Sequence, residues 1–275
     1  MSIKIINPQE DQYGNSKENI FLAFDETEKF LGSSYAYSTI NFHQTHETPY
    51  LIMINVSCAD DLELTLKNVV RQKLFDKVLS RARELREQRA DLKARIYAGF
   101  EYNRDKLDFY ITNGFDPDYS IIMEADIPTS FTYTLPKNVR VQELKISSDK
   151  EFLEYKSMYD EIFVTPLDRD VFIEQESERH FKNLSFFSDD KLEGGCTIFE
   201  KDGLGYVETL FVLPEKRGQG LSKCIVKYIL NYFLSIGIDK TRLEVWNLNK
   251  RAVKLYQSFG YHEMKKSLMF PGITL

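Results

Sequence analysis

The segment Glu208-Thr209-Leu210-Phe211-Val212-Leu213-Pro214-Glu215-Lys216-Arg217-Gly218-Gln219-Gly220-Leu221-Ser222 decides how this 275-residue chain is read. An apolar run ends at Val212 and Pro214 interrupts it. A helical period then begins, with Leu221, Cys224, Ile225, Tyr228, Ile229 and Tyr232 on one stripe and Gly237 in the C-terminal cap position. The order is strand, glycine turn, helix. Glycine tolerates positive φ and lets a ligand approach the backbone closely, so amides at the helix start converge on an anion. Lys216, Arg217 and Lys223 add positive charge at the same end. The segment is built for phosphate.

Spacing narrows the ligand. The dinucleotide fingerprint needs a glycine where Lys223 stands, and the nucleoside-triphosphate loop needs a Gly-Lys-Ser/Thr ending that is absent. Both are excluded.

Working outward, the C-terminal half reads as strand 139–144, helices 149–159 and 168–179, and strands 184–188, 194–200 and 205–212. After the helix come strand 242–246, helix 250–258, a turn at Gly260 and a closing hairpin. The N-terminal half gives strands 20–24, 32–40 and 50–56. A long helix capped by Asp60 or Asp61 then runs to Arg89, followed by strand 94–98, helix 104–112 and strand 120–125. The passage 126–138 holds Pro128 and Pro136 and no helical period, so residues 131–138 form the expected linker and the expected domains are 1–130 and 139–275.

The halves repeat one another. Asn103 is followed by Tyr110 and Gly114-Phe115, and Asn249 by Tyr256 and Gly260-Tyr261, at identical offsets. The first half lacks the glycine loop: Ser57-Cys58-Ala59-Asp60-Asp61 puts two carboxylates where a phosphate would sit.

The run Arg217-Gly218-Gln219-Gly220-Leu221-Ser222 resembles the GNAT acetyltransferase signature Gln/Arg-x-x-Gly-x-Gly/Ala, with Ser222 replacing the small sixth residue. The run Asn249, Ala252, Tyr256, Phe259-Gly260-Tyr261 resembles that family's second motif. The resemblance covers about residues 139–275. It implies an α/β chain of two tandem GNAT-like domains, each a twisted, mostly antiparallel sheet with flanking helices, the first a degenerate copy. It also implies acetyl-coenzyme A as co-substrate, its pyrophosphate on the amides of Arg217, Gly218, Gln219, Gly220, Leu221 and Ser222. Backbone groups near Leu210 and Val212 would pair with pantetheine, Asn249 would steady that arm, and Tyr256 would protonate the leaving thiolate.

The attacking amine must lose a proton. Glu208 is the candidate base, placed on the same face as Val212 by the strand period of two; burial has to raise its ordinary value of about 4.3. The function expected is acetyl transfer to a primary amine of a small molecule through a ternary complex. The rivals are a non-catalytic acyl-coenzyme A sensor or scaffold, and an enzyme acetylating a protein or peptide amine.

A net charge of −6 argues against nucleic acid, whose phosphates need a basic surface. No stretch approaches a membrane span, and no apolar run follows the N-terminus as a secretory signal requires. Cys58, Cys196 and Cys224 are scattered and odd in number, which suits reduced thiols in the cytoplasm. His43 and His46 lie in a polar loop without further ligands nearby, so no metal is expected. A monomer or homodimer is expected.

Overall fold

Runs of β-branched and aromatic residues form the first strands, β1 (Lys4–Ile6), β2 (Ile20–Phe24), β3 (Phe30–Ile40) and β4 (Tyr50–Cys58). Helix α1 (Leu64–Gln88), β5 (Ala94–Tyr97), β6 (Phe100–Glu101), α2 (Arg104–Thr112) and β7 (Tyr119–Asp126) follow. Then come β8 (Val139–Glu143), α3 (Asp149–Ile162), α4 (Arg169–Glu176), β9 (Arg179–Ser188), β10 (Lys191–Lys201) and β11 (Leu204–Val212). The chain continues through α5 (Leu221–Ser235), β12 (Lys240–Trp246), α6 (Lys250–Gln257), β13 (His262–Met269) and β14 (Gly272–Thr274). The structure, a computed structural model, describes residues 2–41, 48–163, 166–188 and 190–275. Among these residues the fold is mixed α/β, with six helices and two mixed sheets.

The first compact unit comprises the chain up to Asp118 together with Leu268–Leu275. Its sheet runs β1-β2-β3-β4-β5-β14. Only β4 and β5 are parallel there, because α1 carries the chain across between them. One stripe of α1 is buried: Val70, Leu74, Phe75, Val78, Ala82 and Leu85 pack on the sheet, with Leu79 partly covered beside them. The cap differs from the sequence reading. Glu63 precedes the helix without a side-chain cap bond, and the Asp61 carboxylate pairs instead with Lys29 at 2.7 Å.

The second compact unit is Tyr119–Ser267. Its strands run β8-β9-β10-β11-β12-β7-β13, with β11 and β12 parallel around the α5 crossover. Ile225, Ile229 and Phe233 of α5 and Val253 and Tyr256 of α6 pack with Leu243 and Val245 of β12 in one buried core. A separate aromatic core joins Phe152, Tyr155 and Phe172 of α3 and α4. Helix α3 opens with a capping box, in which Ser148 Oγ accepts from the Glu151 amide and Glu151 accepts from the Ser147 amide.

Two further features depart from the sequence reading. The closing strands do not form a hairpin: β14 pairs antiparallel with β5, from Gly272 opposite Tyr97 to Thr274 opposite Arg95. The units also divide before Tyr119 and after Ser267, away from the proline-bearing stretch at 131–138. The cause is strand pairing, since β7 runs its whole length beside β12, from Ser120 opposite Trp246 to Asp126 opposite Lys240.

The repeated offsets correspond to repeated geometry. Asn103 accepts from the Lys106 amide and Asn249 from the Ala252 amide, each capping its helix. Tyr110 O accepts from Phe115 N and Tyr256 O from Tyr261 N across glycines at φ 84° and 87°.

Candidate functional site

The site begins where β11 parts from β12. The parallel ladder holds for Gly205, Tyr206 and Val207, opposite Thr241, Arg242 and Leu243, and then stops although both strands continue. The same point carries a bulge against β10: Thr197 faces Thr209 and Ile198 faces Val207, leaving Glu208 as the extra residue.

The bulge reverses the alternation of β11. Before it, a Cβ on Gly205 would strike Phe233 of α5, and Val207 lies in the core under α5; beyond it Val212 lies in that core, with Leu210 packed against it. Glu208 and Phe211 point the other way, Glu208 to Gln175 of α4 and Phe211 to Phe163 beyond α3. Glu208 and Val212 therefore occupy opposite faces, contrary to the simple period of two.

After Val212 the chain takes one 3₁₀ turn, Pro214–Lys216, and reaches the glycines. Arg217 Nε donates to Val212 O at 3.0 Å, clipping the loop to the strand end, while Lys216 pairs with Glu193 at 2.9 Å. Gly218 and Gly220 have φ of 76° and 88°, and a Cβ on either would meet nothing within 4 Å. Glycine is demanded by the backbone, and the space above it is open. Helix α5 starts at Leu221 and Ser222 with no side-chain cap bond and no acidic residue in its first turn. An anion suits that end, through both dipole and amides. Residues 217–222 could hold a pyrophosphate there. Gln219 donates to Glu215 O at 3.3 Å, holding the loop's outer edge.

Glu208 is half-buried and accepts a 3.0 Å hydrogen bond from Gln175 Nε2. Burial raises its carboxyl above the usual range, with Gln175 opposing and Glu244 adding to the rise. It lines a cavity of about 330 Å³ whose floor includes Tyr206, Arg242 and Ile122. Val171, Glu174 and Gln175 of α4 and Phe199, Lys201 and Asp202 also line it.

Tyr256 is 8% exposed and shares the α5 core with Val212 and Leu221, its ring 5.6 Å from that of Tyr261. Burial holds its hydroxyl well above the ordinary tyrosine value. Asn249 is the cap of α6, the structural role compatible with any ligand contact. Glu208 and Tyr256 thus stand on opposite faces of the sheet, flanking the strand where its ladder opens.

Residues 149–261 match the family described as acetyltransferase (GNAT). They form a GNAT domain. A 62-residue stretch is 37% identical to the mouse (Mus musculus) thialysine N-epsilon-acetyltransferase, covering 22% of this chain and 36% of that protein. The chain therefore spans about a third of the curated relative. A probable N-acyltransferase of unknown function from Enterococcus faecalis is similar in structure over 91% of this chain and 61% of its own, at 11% identity and a TM-score of 0.52. A tandem GNAT protein from the clavulanic acid biosynthesis pathway aligns over 99% of this chain and 98% of its own, at 9% identity and a TM-score of 0.46.

Within the GNAT domain the sequence reading missed Gln175 of α4 and Arg242 of β12, which reach the cavity from elements far from β11 in sequence, and it passed over Tyr206, two residues before Glu208 on the same strand. Tyr155, whose hydroxyl lies 3.4 Å from Thr197 Oγ1, was missed for the same reason. Among the described residues no group of three His, Cys, Asp or Glu side chains is placed to hold a metal, and no helix is long and apolar enough to cross a membrane. His43 and His46 lie outside the described residues. All three cysteines are free thiols, and burial pushes that of Cys196 far up.

Proposed function

We propose that the chain transfers an acetyl group from acetyl-coenzyme A to a primary amine of a small molecule, by direct attack in a ternary complex, with one working site in the second unit. The observation that carries this reading is the opening of β11 from β12 directly before a helix start whose two glycines leave the backbone open. Amides from Arg217 to Ser222 would hold the pyrophosphate. Backbone groups of Leu210 and Val212 would hold the pantetheine arm, and Asn249 would steady it. When bound, the co-substrate supplies an activated thioester carbonyl.

The chain's own residues would then manage two protons. Glu208 would take one from the ammonium, and its burial brings the carboxyl closer to working pH than a free glutamate. Tyr256, approaching from the opposite face, would give one to the departing thiolate; burial favours its protonated form. An amine acceptor accords with the mouse relative, whose name places the acetyl group on an ε-nitrogen of thialysine.

The first unit reads as a degenerate copy. It keeps the parallel β4–α1–β5 crossover and the capped helix with Tyr110, but Ser57 to Asp61 lacks glycine and ends in two carboxylates.

The test is coenzyme A release from acetyl-coenzyme A against a panel of small amines and peptides. Tyr256→Phe and Glu208→Gln should each lower kcat by about 10²- to 10⁴-fold while acetyl-coenzyme A still binds. Failure of the unaltered chain to bind acetyl-coenzyme A overturns the proposal, and binding without turnover on every acceptor favours a sensor.

A further inference from the structure

The cavity beside Glu208 carries information about the acceptor that the glycine loop does not. It lies wholly within the second unit, on the face of β11 opposite α5. At about 330 Å³ it stands near the lower end of ligand pockets, about 300 to 1,000 Å³, which favours a short acyclic molecule.

Four carboxylates line it, from Glu174, Glu178, Asp202 and Glu208, against two cations, Lys201 and Arg242. Both cations are already matched. Arg242 pairs with Glu124 at 2.6 Å, and Lys201 reaches Glu178 at 3.8 Å. Among the described residues no ion pair engages Glu174, Asp202 or Glu208. Their excess negative charge faces a space that is not itself acidic throughout: Val171 and Ile122 contribute aliphatic wall. Phe199, buried, stacks on Tyr206 at 5.2 Å and 15° and steadies that ring as an aromatic wall, suited to methylenes and to a cation over the ring.

We propose, resting on the acetyl-transfer reading above, that this cavity receives the acceptor and that the acceptor is an aliphatic amine with a second cationic centre and no carboxylate. The reacting amine faces Glu208, the methylene chain lies along Tyr206, and the second ammonium meets Glu174 and Asp202. An α-carboxylate on the acceptor meets those same two unmatched acids, and Lys201 and Arg242 would have to leave their partners to receive it. In the transfer the amine nitrogen bonds to the acetyl carbon and the carbon–sulfur bond of the thioester breaks; the ammonium gives one proton to Glu208, Tyr256 protonates the departing sulfur to the thiol, and the second proton lost from nitrogen replaces the one Tyr256 gave.

The experiment compares 1,5-diaminopentane, 1-aminopentane and lysine, which share a five-carbon chain and differ only in second charge and carboxylate. Acetyl-coenzyme A binding is measured first by calorimetry; its failure sinks the proposed function and leaves probe binding to judge the cavity on its own. The diamine is expected to bind, and to be acetylated with a kcat/KM at least about tenfold above both other probes. Glu174→Gln with Asp202→Asn should raise KM for the diamine about three- to tenfold, with the loss in KM rather than kcat. Asparagine is chosen at 202 because that position holds φ 55°, which asparagine tolerates. Equal use of 1-aminopentane or lysine, or an undiminished diamine preference in the double variant, overturns the inference.

Discussion

Glu208 concentrates the chemistry at the scale of single residues. Burial, its largest influence, raises the carboxyl above its ordinary value. The folded chain therefore holds this proton more tightly than the unfolded chain does. The stabilising contribution is whole below about pH 4.5, shrinks as pH rises through the folded value, and is gone above it. Glu208→Gln removes that loss: thermal unfolding should show the variant no less stable than the parent at pH 7 and level with it at pH 4, while acetyl transfer collapses. The same reading makes kcat/KM rise with pH along an acid limb set by the raised value, a limb absent from the variant. At Gly220 the cost is conformational alone. Its φ is 88° with open space where a Cβ would go, so Gly220→Ala should lower unfolding free energy by about 1 to 2 kcal/mol in a urea titration. These residues were legible because Gly218 and Gly220 carry their reason in the residue type. Gln175 was not, since a glutamine on α4 looks like any solvated polar residue until the fold brings it to Glu208.

The elements themselves were largely written in the period of apolar residues. The bounds of β2 and α2 fall where alternation and helical spacing put them, and α5 buries Leu221, Ile225 and Ile229 as its stripe requires. The bulge in β11 escaped that reading. Nothing in Val207-Glu208-Thr209 marks an extra residue, and an alternation argument carried across it puts Val212 on the wrong face. Packing between β11 and α5 is tight just before the bulge: a Cβ on Gly205 would stand 2.5 Å from the Phe233 ring. Gly205→Ala should therefore cost about 1 to 3 kcal/mol, read as a lower denaturant midpoint at unchanged slope.

Across the whole molecule, local patterns gave the strands but not their partners. Pairing of β14 with β5 joins segments far apart in sequence, and Pro271-Gly272, where β13 gives way to β14, reads as the tight turn of a hairpin that does not form. The first unit is locked at that point by a buried ion pair: Arg95 lies 3.4 Å from Asp118, their side chains 5% and 3% exposed, and Arg95 also donates to Phe270 O at 3.1 Å. Arg95→Ala strands Asp118 without its counter-ion and should lower stability by about 3 to 5 kcal/mol in equilibrium denaturation.

The placement of β14 also sets an order of events during synthesis. Arg95 and Phe270 are 175 positions apart, so the first unit leaves the ribosome with the β5 edge uncovered until β14 has been made. Its strand edge is open to wrong partners for that interval, and closing so long a loop is slow. The second unit has β7 in hand before any of its own other strands emerge. The half of the chain translated first thus closes its sheet only after β13 of the second unit has emerged.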